Sequence, residues 1–198
     1  LPGLGESADP PAPADMPTVA AIVAAGIDKL LGAQASYDLV GFSFGASVQE
    51  HQIVQVRSML ETLRGLVLDL LDCHVATLAV VRGRCLGGGL ELVAVCHRVF
   101  ATTTAEFGQP EIALGVFPPL ASIVLPERIG RPRAEELCLS GRTVTGREAR
   151  EIGLVDELAD GDPIEAARAW AKALLLPHSA SSLRFAVRAI RASLADRI

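Results

Sequence analysis

The chain has 198 residues, half of them hydrophobic and only 4% aromatic, which suits one domain with a core of Ala, Val, Leu and Ile. A net charge of −5, two lysines and no Lys/Arg cluster argue against a phosphate-tracking surface, and so against nucleic acid. The longest apolar stretch, 112–126, is short for a bilayer span and is interrupted by Pro118 and Pro119, which argues against membrane insertion.

Positions 1–17 hold five of the twelve prolines and are expected to form a mobile arm. Residues 18–35 are Ala-rich with helical apolar spacing and predict a helix. Residues 38–47 predict a short strand running into a glycine turn. Over 48–71, Ile53, Val56, Met59, Leu60, Leu63, Leu66, Val67 and Leu70 trace one helical face. The apolar run at 75–81 stops at Arg82-Gly83, as a buried strand closed by a turn would. Gly87-Gly88-Gly89 then leads into a predicted helix over 90–96, and Arg98-Val99-Phe100-Ala101 predicts another strand. The proline-broken stretch 112–125 is expected to wall a pocket rather than form a regular helix. Short helices are predicted at 132–139 and 146–152, each followed by a stop glycine, Gly141 and Gly153. A strand over 154–158 comes next, then helices over 163–176 and 181–195, the last with Arg184, Arg188 and Arg191 along one exposed side. Strands alternating with helices make the fold class α/β. The expected organisation is an arm at 1–17, a core at 18–160 and a C-terminal helical segment at 161–198.

The chemistry concentrates between 84 and 115. Three glycines between a strand and a helix let the backbone approach a ligand closely and leave the first helical N–H groups for a negative oxygen. Glu91 follows on the apolar sequence Leu90-Glu91-Leu92-Val93, where a carboxylate is at least partly buried and resists ionisation unless paired. Glu111 lies twenty residues further on, so an electron-poor pocket with a carboxyl on either side is the working expectation. Taken singly, Glu91 also reads as a first-turn acid favoured by the helix dipole, and Glu111 as an exposed charge after Pro110.

Other motifs are weaker. The glycine cluster has neither dinucleotide nor NTP-binding spacing. Cys73, Cys85, Cys96 and Cys138 form no C-x-x-C pair and sit among apolar neighbours, as small core residues of a reducing cytoplasm do. No basic start precedes an apolar run, so no secretory leader is expected. His51, His74, His97 and His178 are scattered and read as surface or helix-end residues rather than metal ligands. Gly41-Phe42-Ser43-Phe44-Gly45 matches the G-x-S-x-G nucleophile elbow, and Asp156 or Asp162 with His178 could complete a serine-hydrolase triad in the order Ser, Asp, His. Its lead-in strand is very short, which weighs against that alternative.

Phe42-Ser43-Phe44-Gly45-Ala46-Ser47, Gly87-Gly88-Gly89-Leu90-Glu91 and Phe107-Gly108-Gln109-Pro110-Glu111-Ile112-Ala113-Leu114-Gly115 resemble the crotonase (enoyl-CoA hydratase/isomerase) superfamily. Leu139-Ser140-Gly141-Arg142 and 149–155 match that family's later pattern, so the resemblance runs from about 40 to 158. Segments 45–51, 115–119 and 179–188 are most similar to the hydratases of cyclohexa-1,5-diene-1-carbonyl-CoA, which serve anaerobic benzoyl-CoA degradation. The resemblance implies a ββα spiral core, shortened here at both ends, since relatives carry further strands before the Phe-Ser turn and further helices after position 198. It implies a hydro-lyase adding water to an α,β-unsaturated acyl-CoA.

In that reading the backbone N–H groups of Ala46 and Gly88 hold the thioester oxygen, Glu91 is the base and Glu111 the acid. Ser43, Ser47, Leu86, Gly87, Pro110 and Gly115 line the acyl and pantetheine path. No metal or redox cofactor is implied; CoA arrives as part of the substrate. A homotrimer or hexamer is the family's assembly. Position 97 is His where relatives often have Asp. An inactive, truncated acyl-CoA-binding relative is the non-enzymatic alternative.

Overall fold

The computed structural model describes residues 53–195 and 197–198. The expected arm, the helix at 18–35 and the strand and glycine turn at 38–47 lie outside the described residues, and with them Ser43, Ala46 and Ser47. Helix α1 (Ile53–Asp72) comes first, with Leu63, Val67, Leu70 and Leu71 buried. It is the helix expected from the apolar face, and its buried positions recur at three and four residues as one helical stripe requires.

Beyond α1 the chain is built from short strand pairs. β1 (Leu78–Val81) and β2 (Arg84–Leu86) are separated by Arg82-Gly83 and enter different sheets. The next pair, β3 (Arg98–Ala101) and β4 (Glu106–Gly108), does the same one layer further on. β1 pairs parallel with β3, Leu78 opposite Arg98 through Val81 opposite Ala101. β2 pairs parallel with β4, Arg84 opposite Glu106 through Leu86 opposite Gly108. Each turn of the resulting spiral therefore lies directly on the previous one. Sheet order β1-β3-β6 is completed by β6 (Glu157–Leu158), and order β2-β4-β5 by antiparallel β5 (Thr143–Thr145). The central strand β3 is covered on both faces, with Val99, Phe100 and Ala101 fully buried, as parallel sheets require.

Helices fill the connections. α2 (Gly88–Ala94) follows β2, and a 3₁₀ turn (Pro110–Leu114) follows β4. Then come α3 (Ala121–Ile129), α4 (Arg131–Ser140), α5 (Gly146–Glu151), α6 (Pro163–Leu174) and α7 (Ala180–Ala195). α5 is capped by the Thr145 hydroxyl, which accepts from the Glu148 N–H, and α6 by Asp162, which accepts from the Ile164 N–H.

Four expectations need correction. The stretch 112–125 is not merely a proline-broken wall: α3 begins at Ala121, because Pro118 and Pro119 precede the helix start, where missing N–H groups cost nothing. The three glycines do not all precede the next helix, since Gly88 and Gly89 are its first residues. The strand expected over 154–158 shrinks to Glu157–Leu158, because the N–H groups of Leu154 and Val155 both turn back to the Ala149 carbonyl and close α5.

Arg191 does not share an exposed side with Arg184 and Arg188. It is 6% exposed, and its guanidinium donates to the Leu70 carbonyl, the Thr77 hydroxyl and the Val95 carbonyl, each at 2.8 Å. Those carbonyls are the orphan acceptors at the ends of α1 and α2, so a cation there completes both helices.

Candidate active site

The stacked register brings the two glutamates together. Because Leu86 pairs with Gly108, the chain leaves β2 and β4 side by side, and the Gly87 N–H continues the ladder to the Gly108 carbonyl at 2.9 Å. Glu91 comes one helical turn after the first exit, and Glu111 is the second residue of the 3₁₀ turn after the second.

Gly87 is where they meet. Its φ of +57° and ψ of −130° suit only glycine, and a Cβ built there would lie 2.6 Å from Glu111 Oε1. The missing side chain is thus the space the Glu111 carboxyl occupies. Helix α2 first closes on itself with the Glu91 N–H donating to the Gly87 carbonyl at 3.1 Å. The N–H groups of Gly88, Gly89 and Leu90 precede that bond and have no acceptor within the helix.

Glu91 is 2% exposed, and its Oε1 accepts from the Ala121 N–H at 2.8 Å. Burial pushes its carboxyl up to about 7, the N–H groups of Ala121 and Leu120 pull it down, and the Glu111 charge pushes it up again. Glu111 is half-buried, and burial raises its carboxyl too. Both carboxyls are thus held above the ordinary carboxylate range, and the Glu111 charge acts on Glu91, so their titrations are linked.

Sequence reasoning missed three contributors. Gln109 is fully buried beside Glu111 and Gly87. The N–H of Ala121 orients Glu91 from a helix that the proline-broken sequence does not predict. Cys138 has the apolar neighbours of a core residue, yet the fields of Glu111 and Glu91 both reach it; with burial as the larger cause, they push its thiol up to about 11. Cys138 lies one turn before Gly141, where a Cβ would come within 2.8 Å of Ile112 Cγ2, so this end of α4 seats against the 3₁₀ turn. A buried Gln next to a motif glutamate was visible in the sequence; the other two depend on packing between distant segments.

Of the remaining expected residues, Leu86 ends β2, Pro110 opens the 3₁₀ turn and Gly115 closes it with φ +77°. The serine-hydrolase partners are engaged elsewhere. Asp156 accepts from the Val99 N–H at 2.6 Å and from Arg128 at 2.5 Å; Asp162 caps α6 and pairs with Arg82; His178 is exposed. Among the described residues no group of three His, Cys, Asp or Glu could hold a metal ion, and no helix is long and apolar enough to cross a membrane.

A sequence profile of the family described as Enoyl-CoA hydratase/isomerase matches residues 15–197. The chain belongs to the crotonase (enoyl-CoA hydratase/isomerase) family. It is 53% identical over 157 residues to the cyclohexa-1,5-dienecarbonyl-CoA hydratase of Thauera aromatica, covering 79% of this chain and 60% of that one. A probable enoyl-CoA hydratase of Rhizobium meliloti is 37% identical over 152 residues, covering 73% of this chain and 52% of that one. The chain thus spans about 60% or less of the length of these relatives. The fold is also that of an enoyl-CoA hydratase/isomerase family protein from Silicibacter pomeroyi, at TM-score 0.77 and 24% identity, covering 96% of this chain and 84% of that one. These crotonase-fold relatives bear out the expected ββα spiral core.

Proposed function

We propose that this crotonase-family chain adds water across the double bond of an α,β-unsaturated acyl-CoA, with a cyclic dienoyl-CoA as the preferred substrate. The observation that carries the reading is the Glu91–Glu111 pair: two proton-retaining carboxyls on adjacent turns of the spiral, beside a glycine turn that leaves helix N–H groups unpaired. The cyclic dienoyl preference draws on the 53% identity to the Thauera aromatica hydratase.

In this mechanism the thioester oxygen rests on the N–H groups of Gly88 and Ala46, whose donors stabilise the enolate-like charge by about 3–4 kcal/mol each. One carboxylate takes a proton from water as its oxygen bonds to the β-carbon, and the neutral partner gives its proton to the α-carbon. Glu91 as base and Glu111 as acid is the family arrangement. The deeper burial of Glu91 favours the proton there, so Glu91 acts as base in the fraction of the protein in which Glu111 holds the proton instead. Leu86, Gly87, Pro110 and Gly115, with Ser43 and Ser47, line the acyl and pantetheine path. CoA comes only with the substrate, and the active form is a cytoplasmic homotrimer or hexamer.

The test is the absorbance change of a dienoyl- or enoyl-CoA on adding purified protein. Wild type should turn it over, and Glu91→Gln and Glu111→Gln should each nearly abolish the change. Turnover retained in both variants removes the proposal. Thioester binding without turnover by the wild type would instead indicate the inert acyl-CoA-binding relative.

A further inference from the structure

We propose that the cleft at the far end of helices α2 and α3 binds a small organic carboxylate. Glu91 and the Ala121 N–H meet near the N-terminal ends of these helices. The cleft lies at their C-terminal ends, between Ala94 and Val95 of one and Val124 and Arg128 of the other, under α7. Its volume of about 330 Å³ is that of a small-molecule site rather than of a single water.

Two groups in the cleft wall lack the partners their chemistry calls for. The first is His97. Its Nδ1 lies 2.9 Å from the Thr77 backbone nitrogen and 2.9 Å from Arg191 Nη2. A backbone amide and a guanidinium can only donate, so Nδ1 accepts and the ring proton sits on Nε2. Burial, then the charges of Arg191 and Arg128, lower the imidazole pKa to about 4, so this neutral tautomer holds at pH 7. The Nε2–H is buried and has no hydrogen-bond partner among the described residues.

The second is Arg191. Its buried guanidinium is met by the Leu70 and Val95 carbonyls, the Thr77 hydroxyl and His97, all of them neutral. Among the described residues no carboxylate pairs with it. A buried cation without a counter-charge and a buried donor without an acceptor both cost free energy. One anionic oxygen on His97 Nε2 answers both, because Arg191 stands behind the ring and polarises its N–H towards the cleft.

The acids of the cleft do not supply that oxygen. Asp156 is tied to Arg128, and Glu127 to Arg197. One positive charge is left over, which selects a monoanion rather than a phosphate dianion. Val124, Ile190 and Leu194 add apolar wall beside the polar end. A carboxylate carried on a short apolar body meets both requirements; an inorganic ion or a nucleotide does not.

The probe is hexanoate, titrated at pH 7 into the intact protein while the His97 imidazole resonances are followed, assigned by their loss in His97→Asn. Hexanoate should shift them saturably. Hexanamide, with the same chain and no charge, should bind at least about tenfold more weakly, and so should acetate, which lacks the chain. By calorimetry His97→Asn, which still accepts from Thr77 but has no Nε2–H, should weaken hexanoate about ten- to hundredfold. Ile190 is 71% exposed at the rim, so its replacement leaves the fold intact. Ile190→Asp should weaken hexanoate severalfold by like charge, and Ile190→Lys should not. Sulfate that shifts the imidazole as strongly as hexanoate would mark an adventitious ion only. That result, an unmoved imidazole, or hexanoate binding unchanged in His97→Asn and Ile190→Asp each overturns the proposal. No readout here needs turnover, so the cleft and the hydratase reading fail separately.

Discussion

Replacing Glu91 by Gln should make the protein inactive and, at alkaline pH, more stable. The carboxyl is 2% exposed and its pKa is raised from the ordinary 4.5 to about 7, chiefly by burial. Between those two values the folded state holds a proton that the unfolded state has released, so stability falls as pH rises through this window. The full penalty is about 3 kcal/mol near pH 8, against about 1 kcal/mol near pH 5. Gln carries no charge, keeps an oxygen for the Ala121 N–H, and removes the penalty at both values.

The stabilising effect of Glu91→Gln should therefore grow by about 2 kcal/mol from pH 5 to pH 8, or roughly 4–8 °C in Tm for a chain of this size. Comparing variant with wild type at each pH cancels the titrating groups that Glu91 does not act on, leaving Glu91 and its neighbour Glu111. In the absorbance assay the same variant should be slower by about 10³-fold, within the range of a lost general acid or base. If its stability relative to wild type is the same at both pH values, burial does not hold this carboxyl neutral and the reasoning fails. A variant that keeps a tenth of the wild-type rate refutes the proton-transfer role separately.

Gly87→Ala should lower kcat by at least about 10²-fold with a Tm loss of a few degrees, because the new methyl meets Glu111 Oε1 at 2.6 Å and the backbone sits where side chains are strained by about 1–3 kcal/mol. A rate within threefold of wild type would mean the Glu111 carboxyl does not need that space. Arg191→Met should destabilise by about 3 kcal/mol in urea titration, since it strands the Leu70 and Val95 carbonyls and the Thr77 hydroxyl; Arg191→Lys should recover part of the loss.

His97 accepts from the Thr77 N–H through Nδ1 at 2.9 Å, and burial, then Arg191 and Arg128, lower its pKa to about 4. The unfolded state binds the proton first, so stability is lost as pH falls from about 6.5 towards 4. His97→Asn, which can still accept from Thr77, should flatten the thermal-melt slope in that window, and an unchanged slope contradicts this account.

Much of the centre of this chain was written locally. The apolar run ending at Val81, the strand at Arg98–Ala101 and the helices at both ends of the C-terminal half announce themselves by composition and period. Glu91 was legible as a buried acid because it interrupts an apolar helix, and the glycines beside it signalled a turn that side chains would obstruct. Strands of three residues carry no readable period, which is why β2, β4 and β5 were not anticipated.

The partnerships were decided by tertiary structure. Charge marked Arg191 as a surface residue, and only the packing of α7 against the ends of α1 and α2 turned it inward to their carbonyls. Likewise, two glutamates twenty residues apart say nothing about their separation in space. The ladder that sets Leu86 against Gly108 makes them neighbours, because stacking one turn of the spiral on the next converts a distance along the chain into contact across it. Local sequence specifies which groups are reluctant to lose a proton; the register of the sheets specifies which of them become neighbours.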